Sequence, residues 1–433
     1  VTKTSATNET ALRLVEDVWE RSDRIFGLVD PKAFLARPIR LRQPFLFYVG
    51  HLPAFAWNHL WRGALGRPPF DADLDGLFAR GIDPPDDADA SEDDAEAWPP
   101  LAKVLAYRDR IRRDLPGILD DGAVREVLPM VIEHELMHHE TLLYMVQQLP
   151  EASRAHPGPL PDAPRGAAPE RRGVPVPAGR VVLGAPRDGL FRWDNEHPEQ
   201  TVDVPAFRID CVPVTNREYL QFIEDGGYED RRLWTDDSWA WIRKRGHRGP
   251  GFWKETPDGI RVQTLYGDRP FEEAADWPAC VMHGEACAYA RWEGERLPTE
   301  AEFHRAAFYG PDGTRREHPW GDEAPGPAHG NLGFRRWSPT PVAAHPRGAS
   351  AFGVHELVGN GWEWTSTVFA PFPGFEPLPR YPGYSADFFD GHHFVLLGGS
   401  WATDARLVRR SFRNWFQPHY PYVFSKFRCA RSD

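Results

Sequence analysis

The sequence has little of several things. Four cysteines occur in 433 residues: Cys211, Cys280, Cys287 and Cys429. None forms a Cys-x-x-Cys pair and their spacing fits no zinc-finger pattern. This spacing gives no sign of a thiolate zinc site, and buried free thiols are expected. No apolar stretch approaches the roughly 20 residues that cross a bilayer. The first segment, VTKTSATNETALRLVEDVWE, is polar and then helical, without the apolar core of a signal peptide. A cytoplasmic protein with no membrane attachment is the expectation. No run of Lys or Arg tracks a phosphate backbone, and the net charge is -12, so nucleic acid is not an expected partner. No internal repeat of fixed period is found.

What is present suggests two domains, because 433 residues exceed one ordinary core. Hydrophobic residues at 41% and charged residues at 26% are ordinary for a soluble globular chain. Tryptophan is plentiful at 17 copies, which fits aromatic-rich cores or a pocket for a flat or cationic ligand. Residues 1–150 read as helices. NETALRLVEDVWERSDRIFGLV, LAKVLAYRDRIRRDLPGIL and AVREVLPMVIEHELMHHETLLYMVQQL carry apolar residues at helical spacing. They predict a four-helix bundle, an architecture that holds metals between facing helices. The Pro- and Asp-rich stretch before the second of these, including the acidic residues 86–96, reads as a loop. Residues 151–173 are dense in Pro, Ala and Gly and read as a linker. From 174 to 433 short β-like runs alternate with turns, Gly and aromatics. NREYLQFIEDGG and HGEACAYARWEGE are the best helix candidates there. The fold class expected is α+β, multidomain.

HELMH, residues 134–138, has the His-Glu-x-x-His spacing. Positions four apart on a helix lie about 40° apart around its axis, so His134 and His138 can hold one ion together. A zinc hydrolase would use Glu135 as general base and needs a third ligand. The longer downstream version of that motif is absent, since the chain runs on HETLLYM. A third ligand is available upstream in FLFYVGHLPAFAWNHLW, where both His51 and His59 fall in an aromatic helical segment. Three imidazoles with an open face suit iron, copper or zinc, so the ligand set alone does not select the metal.

The motifs DNEHPEQTVDVPAFRIDCVPVTNREYLQFIEDGGY, RLPTEAEFHRAA, PWGD, GNGWEWTS, LGGSW and SFRNW follow one another in the second half. In this order they resemble the formylglycine-generating-enzyme fold, a relative of C-type lectins. The first half resembles a DinB-like bundle with a split histidine triad. The combination resembles the ergothioneine-pathway sulfoxide synthases of the EgtB type, shared with ovothiol-pathway and selenoneine synthases. The resemblance implies non-haem Fe(II), O2 as cosubstrate, and sulfur or selenium joined to the imidazole of hercynine (Nα-trimethylhistidine). It implies His51, His134 and His138 as the metal ligands, with His51 in the family's first ligand helix. It points to Tyr381, with Tyr384 second, as the active-site phenol, and to Asn414 and Trp415 as substrate-binding residues. Arg413 is a further substrate-binding candidate or else a salt-bridge partner. Trp362 and Trp364 of GNGWEWT read as core.

The departures from the family concern the donor. Phe416 stands where γ-glutamylcysteine-using members have Asp, and Met137 replaces a family glutamine between the helix histidines. The acidic stretch stands where they place an Arg pair, so a donor with two carboxylates would meet acid and no bidentate clamp. Cysteine, γ-glutamylcysteine and a neutral selenosugar remain as donors. Phe416, Tyr420 and Tyr422 could stack on a sugar, which favours a selenoneine synthase over a thiol-using sulfoxide synthase as the expectation.

Overall fold

Asp121 starts the helix that carries HELMH. Its carboxylate accepts from the backbone N–H of Ala123 at 2.8 Å and of Val124 at 3.4 Å, which satisfies two of the donors a helix start leaves open. This helix, α5, is the last of the first half. The computed structural model describes residues 2–79, 81, 98–156, 158 and 168–432, with side chains from residue 9 onward. The chain divides into two units, Val1–Pro159 and Leu160–Asp433. The acidic residues 86–96 lie outside the described residues.

The first unit is helical: α1 (Thr2–Phe26), α2 (Phe45–Ala56), α3 (Ala72–Leu77), α4 (Leu101–Asp114) and α5 (Gly122–Gln148). Helix α1 packs on α5, and α2 packs on both α4 and α5. Helix α2 contains Pro53 and continues as a π-helical stretch, Trp57–Ala64. Proline removes an intrahelical hydrogen bond and crowds the preceding turn, and wider turns of this kind are found where helices serve a site. The short α3 is tied down by Asp75, which is 1% exposed. The Tyr107 hydroxyl of α4 donates to its carboxylate at 2.7 Å, and the Phe70 N–H does so at 2.9 Å.

The ends of the Pro/Ala-rich stretch are built into the two units. Asp30 N–H donates to the Ser153 carbonyl at 3.0 Å and Ala155 N–H to that of Leu28 at 2.8 Å. Farther on, Arg171 makes ion pairs with Asp210, Glu218 and Glu293 at 2.7–3.0 Å. Residues 157 and 159–167, between these anchors, lie outside the described residues.

The second unit is α+β. Strands β1 (Gly173–Val176), β4 (Phe207–Asp210) and β12 (Ala430–Ser432) form one sheet, and β2 (Gly179–Leu183) pairs with β3 (Gln200–Val204). Helices α6 (Asn216–Glu224) and α7 (Asp236–Arg245) follow. Next come a meander of β5 (Trp253–Thr256), β6 (Gly259–Thr264) and β7 (Gly267–Pro270), and helices α8 (Phe271–Ala274), α9 (His283–Trp292) and α10 (Glu300–Phe308). The last sheet runs β10 (Asn414–Phe416), β9 (Phe394–Leu397), β8 (Trp362–Val368), β11 (Ser425–Lys426). Helices α6 and α10 each start with a reciprocal cap, Thr215 with Glu218 and Thr299 with Glu302. The expected helices in NREYLQFIEDGG and HGEACAYARWEGE are α6 and α9. Helices α7 and α10 and the meander are additions to that expectation. Cys211 and Cys429 are buried, Cys280 and Cys287 are half-buried, and all four are free thiols. No helix among the described residues is long and apolar enough to cross a membrane.

Candidate metal centre

His51 on α2 and His134 and His138 on α5 converge. One ligand nitrogen from each lies within 4.8 Å of the others, and all three residues are buried. The ring centroids are 5.1 Å apart for His51 and His134, 5.0 Å for His51 and His138, and 4.4 Å for the two residues of α5. The Nε2 atoms of His134 and His138 are 3.1 Å apart. Bonds of about 2.1 Å from one ion to two adjacent nitrogens give a separation of about 3 Å, so this pair already has the spacing of two ligands of one metal.

The surroundings fix each ring. Nδ1 of His51 meets the carbonyl of Phe78 at 2.7 Å. A carbonyl only accepts, so this nitrogen carries the proton and Nε2 presents its lone pair. That Nε2 is buried and has no hydrogen-bond partner among the described residues, which suits a metal ligand and is costly for a free imidazole. Phe47 stacks on His51 at 4.9 Å and Phe55 on His134 at 3.5 Å. Burial lowers the pKa of His51 to about 4. Burial, then the neighbouring imidazoles, hold His134 and His138 well below the ordinary value. All three are therefore neutral near pH 7, the form that binds metal.

His59 is not part of the cluster. Its ring packs at 4.1 Å against Phe55, which stacks on His134 at 3.5 Å and also meets the His51 ring at 6.4 Å. Glu135 is turned to α1, where its carboxylate accepts from the Ser22 hydroxyl at 2.5 Å. It is thus engaged on a different face of α5 from the ligands, which is not where the general base of a zinc hydrolase would stand. Tyr48 lies 5.6 Å from His138, ring to ring. The buried Arg42 donates to the Tyr144 hydroxyl at 3.1 Å and contributes to lowering the His138 pKa. Sequence reading singled out neither residue. Met137 is half-buried on α5.

In the second unit the residues expected at the substrate site form an aromatic cluster. Trp415 stacks on Phe369 at 4.4 Å and meets Tyr384 edge-on at 5.3 Å. Tyr384 stacks on Trp193 at 3.9 Å, and Tyr381 is 5.9 Å from Tyr384. Asn414 and Trp415 enter from β10, paired with Leu396 and Val395 of β9. Phe416, next on the strand, stacks on Tyr420 at 5.3 Å, and Tyr420 meets Tyr422 edge-on at 5.1 Å.

Arg413 lies inside, 3% exposed. It pairs with Glu300 at 2.8 Å, donates to the carbonyls of Asn195 and Ala370, and lies over the rings of Phe372 and Phe369. Its guanidinium thus faces protein groups in each of these contacts, and it supports the ring on which Trp415 stacks. Trp362 and Trp364 are buried, as their expected core role requires.

Four consecutive residues clamp this cluster, and sequence reading gave them no role. Trp193 carries Tyr384. Asp194 accepts from the Ser385 hydroxyl at 2.5 Å and the Leu378 N–H at 3.3 Å. The Asn195 carbonyl takes Arg413, and Glu196 binds Ser411 at 2.6 Å and Arg409. They hold both the tyrosine loop and the lead-in to β10. The only hint was the place of the last three in the quoted DNEHP motif.

Residues 160–433 match the model of the sulfatase-modifying factor enzyme 1-like domain. A hercynine oxygenase of Mycolicibacterium smegmatis is 40% identical over 343 residues, which is 76% of this chain and 75% of that protein. One from Mycobacterium tuberculosis is 42% identical over 343 residues, 76% of this chain and 77% of its own. The ergothioneine biosynthesis protein 1 of Neurospora crassa is 31% identical over 507 residues, 96% of this chain and 57% of that protein.

Proposed function

The chain belongs to the hercynine oxygenase family, and on that premise we propose that it is a non-haem iron enzyme that uses O2 to form a carbon–sulfur bond on hercynine. The observation that carries the proposal is the convergence of His51, His134 and His138 on one point. The helical unit then has the role of a DinB-like ligand-bearing bundle. Fe(II) bound by three neutral imidazoles supplies the open coordination positions and the redox chemistry that O2 activation needs.

The reaction balances with O2 alone as oxidant. An imidazole C–H and a donor S–H are lost, a C–S bond forms, and the sulfur is oxidised to sulfoxide. These changes release four electrons, which reduce O2 to one sulfoxide oxygen and one water. In this scheme His51, His134 and His138 hold the ion, and the Tyr381 phenol handles a proton, with Tyr384 beside it. Asn414 hydrogen-bonds hercynine. The Trp415 face takes its trimethylammonium, a contact of about 0.5–2 kcal/mol. The names of the relatives support this sulfur reading.

One feature favours a second reading for the donor. Phe416 and Tyr422, both half-buried, offer an aromatic surface flanking the buried Tyr420. Such a surface stacks on a neutral sugar and has no charge for the carboxylates of γ-glutamylcysteine. A selenosugar donor, giving a selenoneine synthase, obeys the same balance with selenium in place of sulfur.

The test is oxygen uptake by protein loaded with Fe(II) under anaerobic conditions. It is given hercynine with cysteine, γ-glutamylcysteine or a selenosugar in turn, and the product mass is determined. Uptake that needs hercynine and a thiol, with a product carrying the C–S bond, is the expected result. Uptake with the selenosugar alone selects the second reading. No uptake with any pair overturns both.

A further inference from the structure

Helix α5 is buried on most sides. Val127, Leu128, Val131, Leu136, Leu142 and Met145 are core residues on different sides of it. Apolar packing of this kind does little to choose one rotation of a helix about its own axis, because many rotations bury similar area. Yet the ligands demand one, since a shift of a single residue turns the helix by about 100°.

A polar trio sits in the otherwise apolar contact between α1 and α5. Ser22 of α1 is fully buried, and Glu135 and His139 of α5 are 6% and 1% exposed. The Ser22 hydroxyl donates to Glu135 Oε1 at 2.5 Å. Its oxygen lies 2.8 Å from His139 Nε2. With its one proton given to Glu135, the hydroxyl accepts from that nitrogen. Glu135 and His139 each follow a ligand by one residue, so their stripe runs parallel to that of His134 and His138, about 100° around the helix. Fixing one stripe fixes the other. Buried polar groups are costly when unmatched, so losing the two Ser22 hydrogen bonds penalises every other rotation, as a buried polar residue sets register in a coiled coil. The next residue of α1, Asp23, binds Arg112 of α4 at 2.7 Å and Arg108 at 3.2 Å. Two adjacent residues of α1 thus hold both neighbouring helices.

We propose that Ser22 is a positioning residue: by bridging Glu135 and His139 it sets the rotation of α5 at which His134 and His138 share one ion with His51. The inference rests on the metal-centre reading above.

The test uses the apo full chain titrated with Co(II) alone and followed by the visible absorption of the bound ion. Ser22→Ala is expected to bind at least about ten-fold more weakly than the parent, with an altered spectrum, and Ser22→Thr, which keeps a hydroxyl, to retain the parent affinity. The variant Ser22→Ala/Glu135→Leu/His139→Leu removes the polar burden and is expected to melt cooperatively at or above the parent temperature. It too should bind Co(II) at least about ten-fold more weakly. This variant carries the test if Ser22→Ala does not fold. A folded Ser22→Ala or triple variant with the parent spectrum and affinity within two-fold shows the trio to be merely structural and overturns the inference. A parent chain that takes up no Co(II) overturns the metal-centre reading instead, so the two failures are distinct.

Discussion

The backbone carbonyl of Phe78 receives the Nδ1–H of His51 at 2.7 Å. A segment outside α2 and α5 therefore decides which nitrogen of that ring faces the other two histidines. Phe78 ends α3, and α3 is held by the Tyr107–Asp75 hydrogen bond. Support of a ligand by an outer hydrogen bond commonly changes metal affinity by about 10–100-fold. The chain of cause runs from a tyrosine of α4, through a buried carboxylate, to the tautomer of a histidine on α2.

Gly50 makes this arrangement possible. A Cβ there would stand 2.3 Å from the Phe78 ring, so any side chain pushes Phe78 and its carbonyl away from His51. We predict that Gly50→Ala destabilises the folded chain by about 1–3 kcal/mol, as overpacking does. We also predict that it weakens metal binding by about 10–100-fold. Urea unfolding and a Co(II) titration measure the two separately. An unchanged Co(II) affinity would show that the carbonyl is not needed.

Removal of a ligand gives a larger effect. His138→Ala leaves two imidazoles and is predicted to lower oxygen uptake to the level of iron-free protein, with loss of iron measured by metal analysis. Retained uptake in that variant would rule out the triad.

Parts of this site were readable in the sequence for a physical reason. His134 and His138 lie on one helix, and the period of a helix alone makes them neighbours. His51 was not separable from His59 by spacing, and only the family resemblance chose between them. The structure gives the cause, since the His59 ring packs on Phe55, which in turn stacks on His134. Helix α10 begins with a Thr299-x-x-Glu302 cap that the sequence displays, but its single apolar turn pattern is too short to stand out. The clamp at 193–196 was not readable beyond the presence of Asp194, Asn195 and Glu196 in a family-like motif. Asp194 meets Ser385 across 191 residues, and no local periodicity records a contact that long-range folding creates. Arg413 shows the converse, an arginine in a substrate-binding motif whose donors go to Glu300 and two carbonyls.

Asp194 gives the next prediction. Its carboxylate holds both ends of the segment that carries Tyr381 and Tyr384. Asp194→Ala leaves the buried Ser385 hydroxyl and the Leu378 N–H without this acceptor, a loss of about 1–3 kcal/mol. We predict faster amide hydrogen exchange across 378–385, a changed near-UV dichroism from the Trp193–Tyr384 stack, and a lower kcat. The exchange measurement is decisive, because protection equal to that of the parent would show the loop is held by other contacts.

The last prediction concerns pH. Glu356, beside the GNGWEW motif, is 3% exposed and accepts from the Asn360 side chain at 3.1 Å. Near it lies a buried ionic group in which Glu363 pairs with Arg428 at 2.5 Å and with Lys426 at 3.1 Å. Those two cations are largely committed to Glu363. Burial therefore dominates at Glu356 and raises its pKa from 4.5 to about 7, against smaller lowering effects from Asn360, Lys426 and Arg428. A folded pKa above the unfolded one means that the folded state holds the proton more tightly. The associated stabilisation is full below about pH 4.5 and is lost as pH rises through about 7. At about 1.4 kcal/mol per tenfold change in acidity, its upper limit is about 3 kcal/mol. Glu356→Gln keeps the shape and the acceptor but has no proton to lose. We predict that it matches the parent at low pH and becomes more stable than the parent by up to that amount above pH 7. Urea unfolding of both proteins at pH 5 and pH 8 checks this. An equal difference between them at the two pH values would show that Glu356 does not titrate in the folded state within this window.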